Sequence, residues 1–300
     1  MTDAIPFPSV IDSSMRGAFS ACPQKFYYNY LLHLHPSAES PDLKAGGAFA
    51  RGLEVARKSF WGQGLDDKAA LGEGIKAFLK EWGDYEPPEY HVKQQDRMAE
   101  ALVEYFSHYG WTTDHVQPLV QHGEPAVEFS FALPIPETHH PVTGEPILYA
   151  GRFDMLGIKD DVLFVVDEKT TKQLGQSWMA NWKLRSQLTG YCWAAQEFGY
   201  PVAGAIIRGI SILKTKYGHA EVIEPRAKWE IERWLHQLSR DVSRMIQCWK
   251  DGYWDFDLDS ACSSYGGCAY MDLCTSPHPE RWIETSYVKR VWNPLEVVKK

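Results

Sequence analysis

Apolar positions recur with two different periods along this chain, and the change of period divides it. From Ser13 onward, Met15, Ala18, Phe19 and Cys22 step by three and four and stop at Pro23, which predicts a short helix. An aromatic run, KFYYNYLLHL, leads into a loop rich in Pro, Ser and Gly over 36–47, and helical spacing returns over 48–60, 68–82 and 92–109. Then the period shortens to two. PAVEFSFALPI, ILYAGRFDMLGI and VLFVVDEKT read as strands, the last two forming an antiparallel hairpin about the polar turn Lys159, Asp160 and Asp161. The pattern continues with a helix over 178–198, closed by Gly199 and Pro201, a strand over 202–213 and a second strand over 217–223 that can pair with it. Ile231, Leu235, Leu238, Val242, Met245, Ile246 and Trp249 then mark a long amphipathic helix. This order predicts an α/β layer architecture around one central sheet.

Composition narrows the class. With 300 residues, 44% of them hydrophobic, a sizeable core is available. No stretch reaches the roughly 18 uncharged apolar residues of a membrane span, and Met1 to Val10 lacks the basic and apolar regions of a signal peptide; both point to a cytoplasmic protein without membrane contact. The net charge of -8 argues against a uniformly basic coat, so any nucleic-acid contact must be a local patch. In such a chain, Cys22 and the evenly spaced Cys262, Cys268 and Cys274 point to a metal rather than to disulfides. Cys192 and Cys248 stand apart and read as small core residues.

The hairpin carries the chemistry. Along a strand, Asp167 and Lys169 share one face and Glu168 takes the other. With the turn centred near Asp160, Asp154 falls almost opposite Val166, one position from Asp167, so two carboxylates converge at one end of the sheet. Held close, they raise each other's pKa unless a cation lies between them. Mg²⁺ suits the place, because it takes oxygen ligands, needs only one or two carboxylates and leaves positions for water and phosphate. An adjacent lysine can orient or help deprotonate a water and offset charge at phosphorus. Taken alone, Asp-Glu-Lys is more often an exposed hairpin end whose charges pair. Gln187 and Tyr191, in QLTGY, share a face of the following helix and can hold a substrate backbone; alone they read as a surface glutamine and a core tyrosine. Just before them, Trp178, Trp182, Lys183 and Arg185 offer stacking and phosphate contacts, a stronger case than Lys25, His33 and His35 in the earlier aromatic run.

Together, GRFD, DEK and QxxxY resemble the PD-(D/E)XK nuclease superfamily and, within it, the RecB-like branch. The similarity extends upstream to SSMRGAFSACPQKFYYNYL, with its Cys-Pro pair, and to PAVEFSF, which carries Glu128, and so spans roughly Ser13 to Cys274. The resemblance implies a restriction-endonuclease-like core with a mixed sheet flanked by helices. It also implies a helical N-terminal part over 1–120 contributing Cys22, the core over 121–224, and a long helix with a cysteine-ligated cap over 225–300, all in one compact unit. It further implies a deoxyribonuclease, an exonuclease in recombination, repair or phage DNA processing. Asp154, Asp167 and the Glu168 carbonyl would hold Mg²⁺ or Mn²⁺, Lys169 would act on water, and Gln187 with Tyr191 would position DNA.

DNA that is single-stranded or has a free end is the implied substrate. Any unwinding would fall to a helicase or recombination partner, because the sequence has no GxxxxGK[ST] loop. Relatives with an iron-sulfur cluster pair one early cysteine with three late ones, which nominates Cys22, Cys262, Cys268 and Cys274 for a [4Fe-4S] cluster, with zinc as the lesser alternative. One departure stands out. Where many relatives carry a metal-binding histidine, GAFARGLE has Ala50, and Glu54, one turn on, is a substitute oxygen ligand or a surface glutamate. That gap keeps open a second reading, a non-catalytic DNA-binding or complex-forming subunit.

Overall fold

The computed structural model describes residues 5–257, 260–263 and 267–296; part of the N-terminal segment read for a leader and part of the Cys262–Cys268 loop lie outside the described residues. In chain order the principal elements begin with β1 (Val10–Asp12), α1 (Ser13–Ala21), α2 (Pro41–Arg57), α3 (Asp67–Trp82) and α4 (Gln95–Tyr109). The strands β2 (Val127–His139), β3 (Pro146–Lys159) and β4 (Val162–Thr171) follow. After them come α5 (Gln176–Ala180), α6 (Ser186–Glu197), β5 (Gly204–Ile212), β6 (Tyr217–Pro225) and α7 (Lys228–Asp251). Among the described residues no helix is long and apolar enough to cross a membrane. Contacts group the chain into two units, residues 39–129 with 152–231, and residues 1–38 with 130–151 and 232–300.

In the unit of residues 39–129 and 152–231, β3 pairs antiparallel with β4, β4 parallel with β5, and β5 antiparallel with β6. The sheet is therefore mixed. Phe49 and Leu53 of α2 and Leu102 and Phe106 of α4 bury Ile210 and Ile212 of β5, while α6 lies against β4 and β5. Burying side chains of this size contributes roughly 1.5–3 kcal/mol each. Helices α2 and α3 touch through glycines: a Cβ on Gly74 would stand 2.7 Å from both the Ala56 Cβ and the Gly52 carbonyl oxygen, so no larger residue allows this approach.

In the other unit, β1 runs parallel to the start of β3, from Val10 opposite Leu148 to Asp12 opposite Ala150. Asp12 caps α1 by accepting the Met15 N–H at 2.7 Å. The apolar stripe of α7 is buried at Leu238, Val242 and Met245, and Asp241 beside it pairs with Arg16 at 2.9 Å. The aromatic run after Pro23 is packing: the Trp254 ring lies 5.6 Å from both the Phe26 and the Tyr27 ring.

Several boundaries differ from the periodicity. Helix α2 starts at Pro41, inside the expected loop, because Ser40 accepts the Leu43 N–H and proline suits the first turn. The helix expected over 178–198 is broken into α5 and α6. Between them Trp182 is buried edge-to-face against Trp178, and Arg185 enters α6 with extended backbone. The hairpin register also shifts. Its turn is Asp160–Asp161 alone, both at positive φ (49° and 62°), as a two-residue type I′ turn requires. Lys159 thus pairs with Val162 and Met155 with Val166. Asp154 and Asp167 are the next residues on their strands, just past the last pair of the ladder, and are close enough for the Asp167 charge to act on Asp154.

Candidate active site

The end of the β3–β4 hairpin gathers the predicted acids. Asp167 is 1% exposed, and its Oδ2 lies 2.5 Å from Lys169 Nζ on the same strand face. Asp154 Oδ2 accepts the Glu168 backbone N–H at 2.6 Å, just where the β3–β4 ladder has ended. Burial and then the Asp167 charge push the Asp154 carboxyl well above the usual carboxylate range. Burial also raises Asp167, against the pull of Lys169. Burial would lower the Lys169 ammonium, but the Asp167 and Asp154 carboxylates outweigh it and hold the pKa above its ordinary value. Two buried carboxyls thus share one lysine ammonium, and burial favours a proton on them in the absence of a cation.

Glu168 points the other way, as alternation predicts, into a network that spacing does not reveal. Arg57, the last residue of α2, pairs with Glu168 Oε1 and also donates to the Tyr105 hydroxyl at 2.9 Å. That hydroxyl donates to Glu168 Oε1 at 3.0 Å. Arg208 donates to the Tyr105 oxygen at 3.3 Å, grips both oxygens of Asp114 at 2.6 and 2.7 Å, and reaches Glu221 at 3.0 Å. Burial alone would raise the Glu168 carboxyl, but Arg57 holds it down to about 2. Glu168 Oε2 has no hydrogen-bond partner among the described residues.

Two further acids border the site. Glu128, at φ 53°, pairs with Arg152 at 2.5 Å, yet burial, reinforced by the Glu54 and Glu168 charges, pushes its carboxyl up to about 7. Glu54 is not a surface residue: it is 6% exposed, held by Arg51 at 2.5 Å and Lys58 at 2.6 Å. On α6, Gln187 Nε2 donates to the Tyr191 hydroxyl at 2.9 Å, and the Tyr191 ring meets Phe153 at 5.7 Å, one residue before Asp154. Arg185 is exposed and close enough to Asp167 to lower its pKa. Trp178 packs on Gly209, the residue of β5 paired with Lys169; a Cβ there would lie 2.5 Å from the indole. The tryptophan thus covers the strand position beside the lysine.

Cys22, Cys262, Cys268 and Cys274 all line one cavity of about 270 Å³, with Lys25, Phe256 and Met271 among its other walls. The Asp257 N–H points to Cys22 Sγ at 3.5 Å, and the Cys268 N–H donates to the Cys262 carbonyl at 2.9 Å. Among the described residues no group of three or more His, Cys, Asp or Glu side chains is arranged to hold a metal ion. Cys192 is fully buried in α6, a core residue, while Cys248 on α7 is partly exposed.

No curated protein matches the chain in sequence. Among solved structures it is similar to a “Putative exonuclease” from Eubacterium rectale, at 14% identity over 89% of this chain and 94% of that one, with a TM-score of 0.48. It is also similar to SSO0001, at 14% identity over 66% of this chain and 74% of that one, with a TM-score of 0.28. Likenesses this weak carry no argument. The model of the PD-(D/E)XK nuclease superfamily, in contrast, matches residues 16–275, a stretch that includes the two acids, the lysine and the Gln187–Tyr191 helix. By that match the chain belongs to the PD-(D/E)XK nuclease superfamily.

Proposed function

We propose that this protein is a metal-dependent deoxyribonuclease of the RecB-like branch that hydrolyses phosphodiesters from DNA ends, in recombination, repair or phage DNA processing. The observation that carries the reading is that Asp154, which accepts the Glu168 N–H, lies within reach of the Asp167 charge at the end of the hairpin, with Lys169 paired to Asp167. Their hard, partly unneutralised oxygens fit Mg²⁺ or Mn²⁺. A strand residue turns its N–H and C=O toward the same neighbour, so the Glu168 carbonyl would be available as a third ligand. Such an ion supplies Lewis-acid polarisation of the phosphate and a lowered pKa for water.

The chain does the rest. Lys169, held as an ammonium by the two aspartates, orients the attacking water and offsets charge on the phosphorus centre. Gln187, fixed by its bond to Tyr191, holds the DNA backbone. Arg185 binds a neighbouring phosphate, and Trp178 gives an unpaired base a surface to stack on. Glu54 fills the place of the histidine absent at Ala50, within the same charge field as Glu128.

We propose also that Cys22, Cys262, Cys268 and Cys274 hold a [4Fe-4S] cluster. The four cysteines line one cavity, and the wide spacing of the three late ones with a distant fourth supports a cluster over a single zinc ion, whose sites more often use close CxxC pairs. Labelled single- and double-stranded DNA, with open or blocked ends, tests the reading in Mg²⁺ or Mn²⁺. Loss of open-ended substrate alone supports an exonuclease. Binding without cleavage in any divalent ion, by protein with its full iron content, supports the non-catalytic subunit instead.

A further inference from the structure

The Glu168 network is a buried charge system outside the acid pair, and the reaction as described does not use it. It has two notable properties. Arg57 and Glu168 are both 4% exposed in their side chains, and Arg208 is 1% exposed, so none of them serves solubility. Buried ion pairs of this kind add little net stability compared with apolar side chains of the same volume, because desolvation cancels most of the attraction. Stability alone therefore does not account for the arrangement. Its geometry gives a better reason. Glu168 is joined at both ends: its carboxylate is gripped by Arg57 of α2 and Tyr105 of α4, and its peptide N–H donates to Asp154 Oδ2 at 2.6 Å.

We infer that Arg57 is a positioning residue for the nuclease centre, acting through Glu168 to hold the Glu168 peptide against Asp154. This inference rests on the nuclease reading and adds to it a side chain from a different helix. The helix can transmit such a constraint because the Gly52–Gly74 contact fixes α2 against α3. Tyr105 and Arg208 complete the grip, with Asp114 anchoring Arg208 through two hydrogen bonds.

The test separates position from stability. Arg57→Met leaves a carboxylate buried without its partner and lowers the melting temperature. The double variant Arg57→Met with Glu168→Met removes both charges and recovers most of that loss. In each protein Mn²⁺ affinity is measured by calorimetry without DNA, alongside kcat and KM for cleavage. The expected result is a double variant that melts close to the wild type yet binds Mn²⁺ about 10- to 100-fold more weakly, as loss of an outer partner of a metal ligand does. Its kcat falls while KM is unchanged, and Arg57→Lys, which keeps one charged donor, lies between.

Wild-type Mn²⁺ affinity in a double variant of recovered stability overturns the inference and leaves the nuclease reading intact. A wild-type protein that neither binds Mn²⁺ nor cleaves DNA overturns both. If it binds Mn²⁺ without cleaving, the affinities alone decide the inference.

Discussion

Glu168 donates its peptide N–H to Asp154 Oδ2 while its own carboxylate is held by Arg57, so the residue between Asp167 and Lys169 ties the two hairpin strands to a helix. Asp154 is thereby held beside Asp167 despite the repulsion between them. Such a site costs stability in the absence of a cation. Asp154→Asn keeps an acceptor for the Glu168 N–H and removes the buried charge, so it should raise the melting temperature of the metal-free protein by roughly 2–4 °C. Added Mg²⁺ should stabilise the wild type and not this variant. Calorimetric melts with and without Mg²⁺ check both outcomes.

Glu128 sets a pH dependence. Its carboxyl is raised to about 7 by burial, so the folded state favours the protonated form. The stability this contributes is fully present below the unfolded-state pKa of about 4.3 and is lost as pH rises through about 7. Metal-free protein should therefore melt at progressively lower temperature from about pH 5 to pH 8, and Glu128→Gln should flatten that slope. Glu168 runs the opposite way: its depressed carboxyl contributes stability above the unfolded-state pKa and loses it as pH falls toward about 2.

Trp178 and Gly209 form a steric pair. A methyl group at position 209 would meet the indole at 2.5 Å and Leu174 at 2.7 Å, and a rigid ring on one wall leaves it little room to move. Gly209→Ala should cost about 1–3 kcal/mol in denaturant unfolding. Trp178→Ala should weaken single-stranded DNA binding roughly 10-fold, within the range of base stacking on an aromatic side chain, and leave blunt duplex binding nearly unchanged. Fluorescence anisotropy with the two DNA forms reads this directly.

The cysteine cavity is tested by composition and colour. Anaerobically purified protein should carry about four irons and four sulfides per chain, with broad visible absorption. Cys22→Ser and Cys268→Ser should each lose that absorption, whereas Cys192→Ala, altering a buried thiol that does not line the cavity, should keep it. One equivalent of zinc and a colourless protein would be the opposite result.

Much of this was legible in the sequence because the chemistry is local. Period-two spacing separates Asp167 and Lys169 from Glu168 onto opposite faces, and one helical turn joins Gln187 to Tyr191. The register was harder. A turn centred near Asp160 puts Asp154 almost opposite Val166, and only two adjacent aspartates at positive φ, a rare pair, put Met155 there instead. The grip on Glu168 was not legible at all. Arg57, Tyr105 and Arg208 lie on two helices and a strand, and no periodicity records which distant side chains meet in a core. Glu54 illustrates the same limit, since spacing alone makes it a surface residue and tertiary packing buries it.

The most direct test of the central claim is Mg²⁺-dependent release of labelled nucleotides from open-ended DNA by wild type, Asp167→Asn and Lys169→Met, at matched folding and iron content. The account predicts cleavage by the wild type and a loss of several hundred-fold or more in both variants, each still binding DNA, because removing one preorganised charge typically costs about 10²–10³ in rate. Full metal-dependent cleavage by both variants would contradict it.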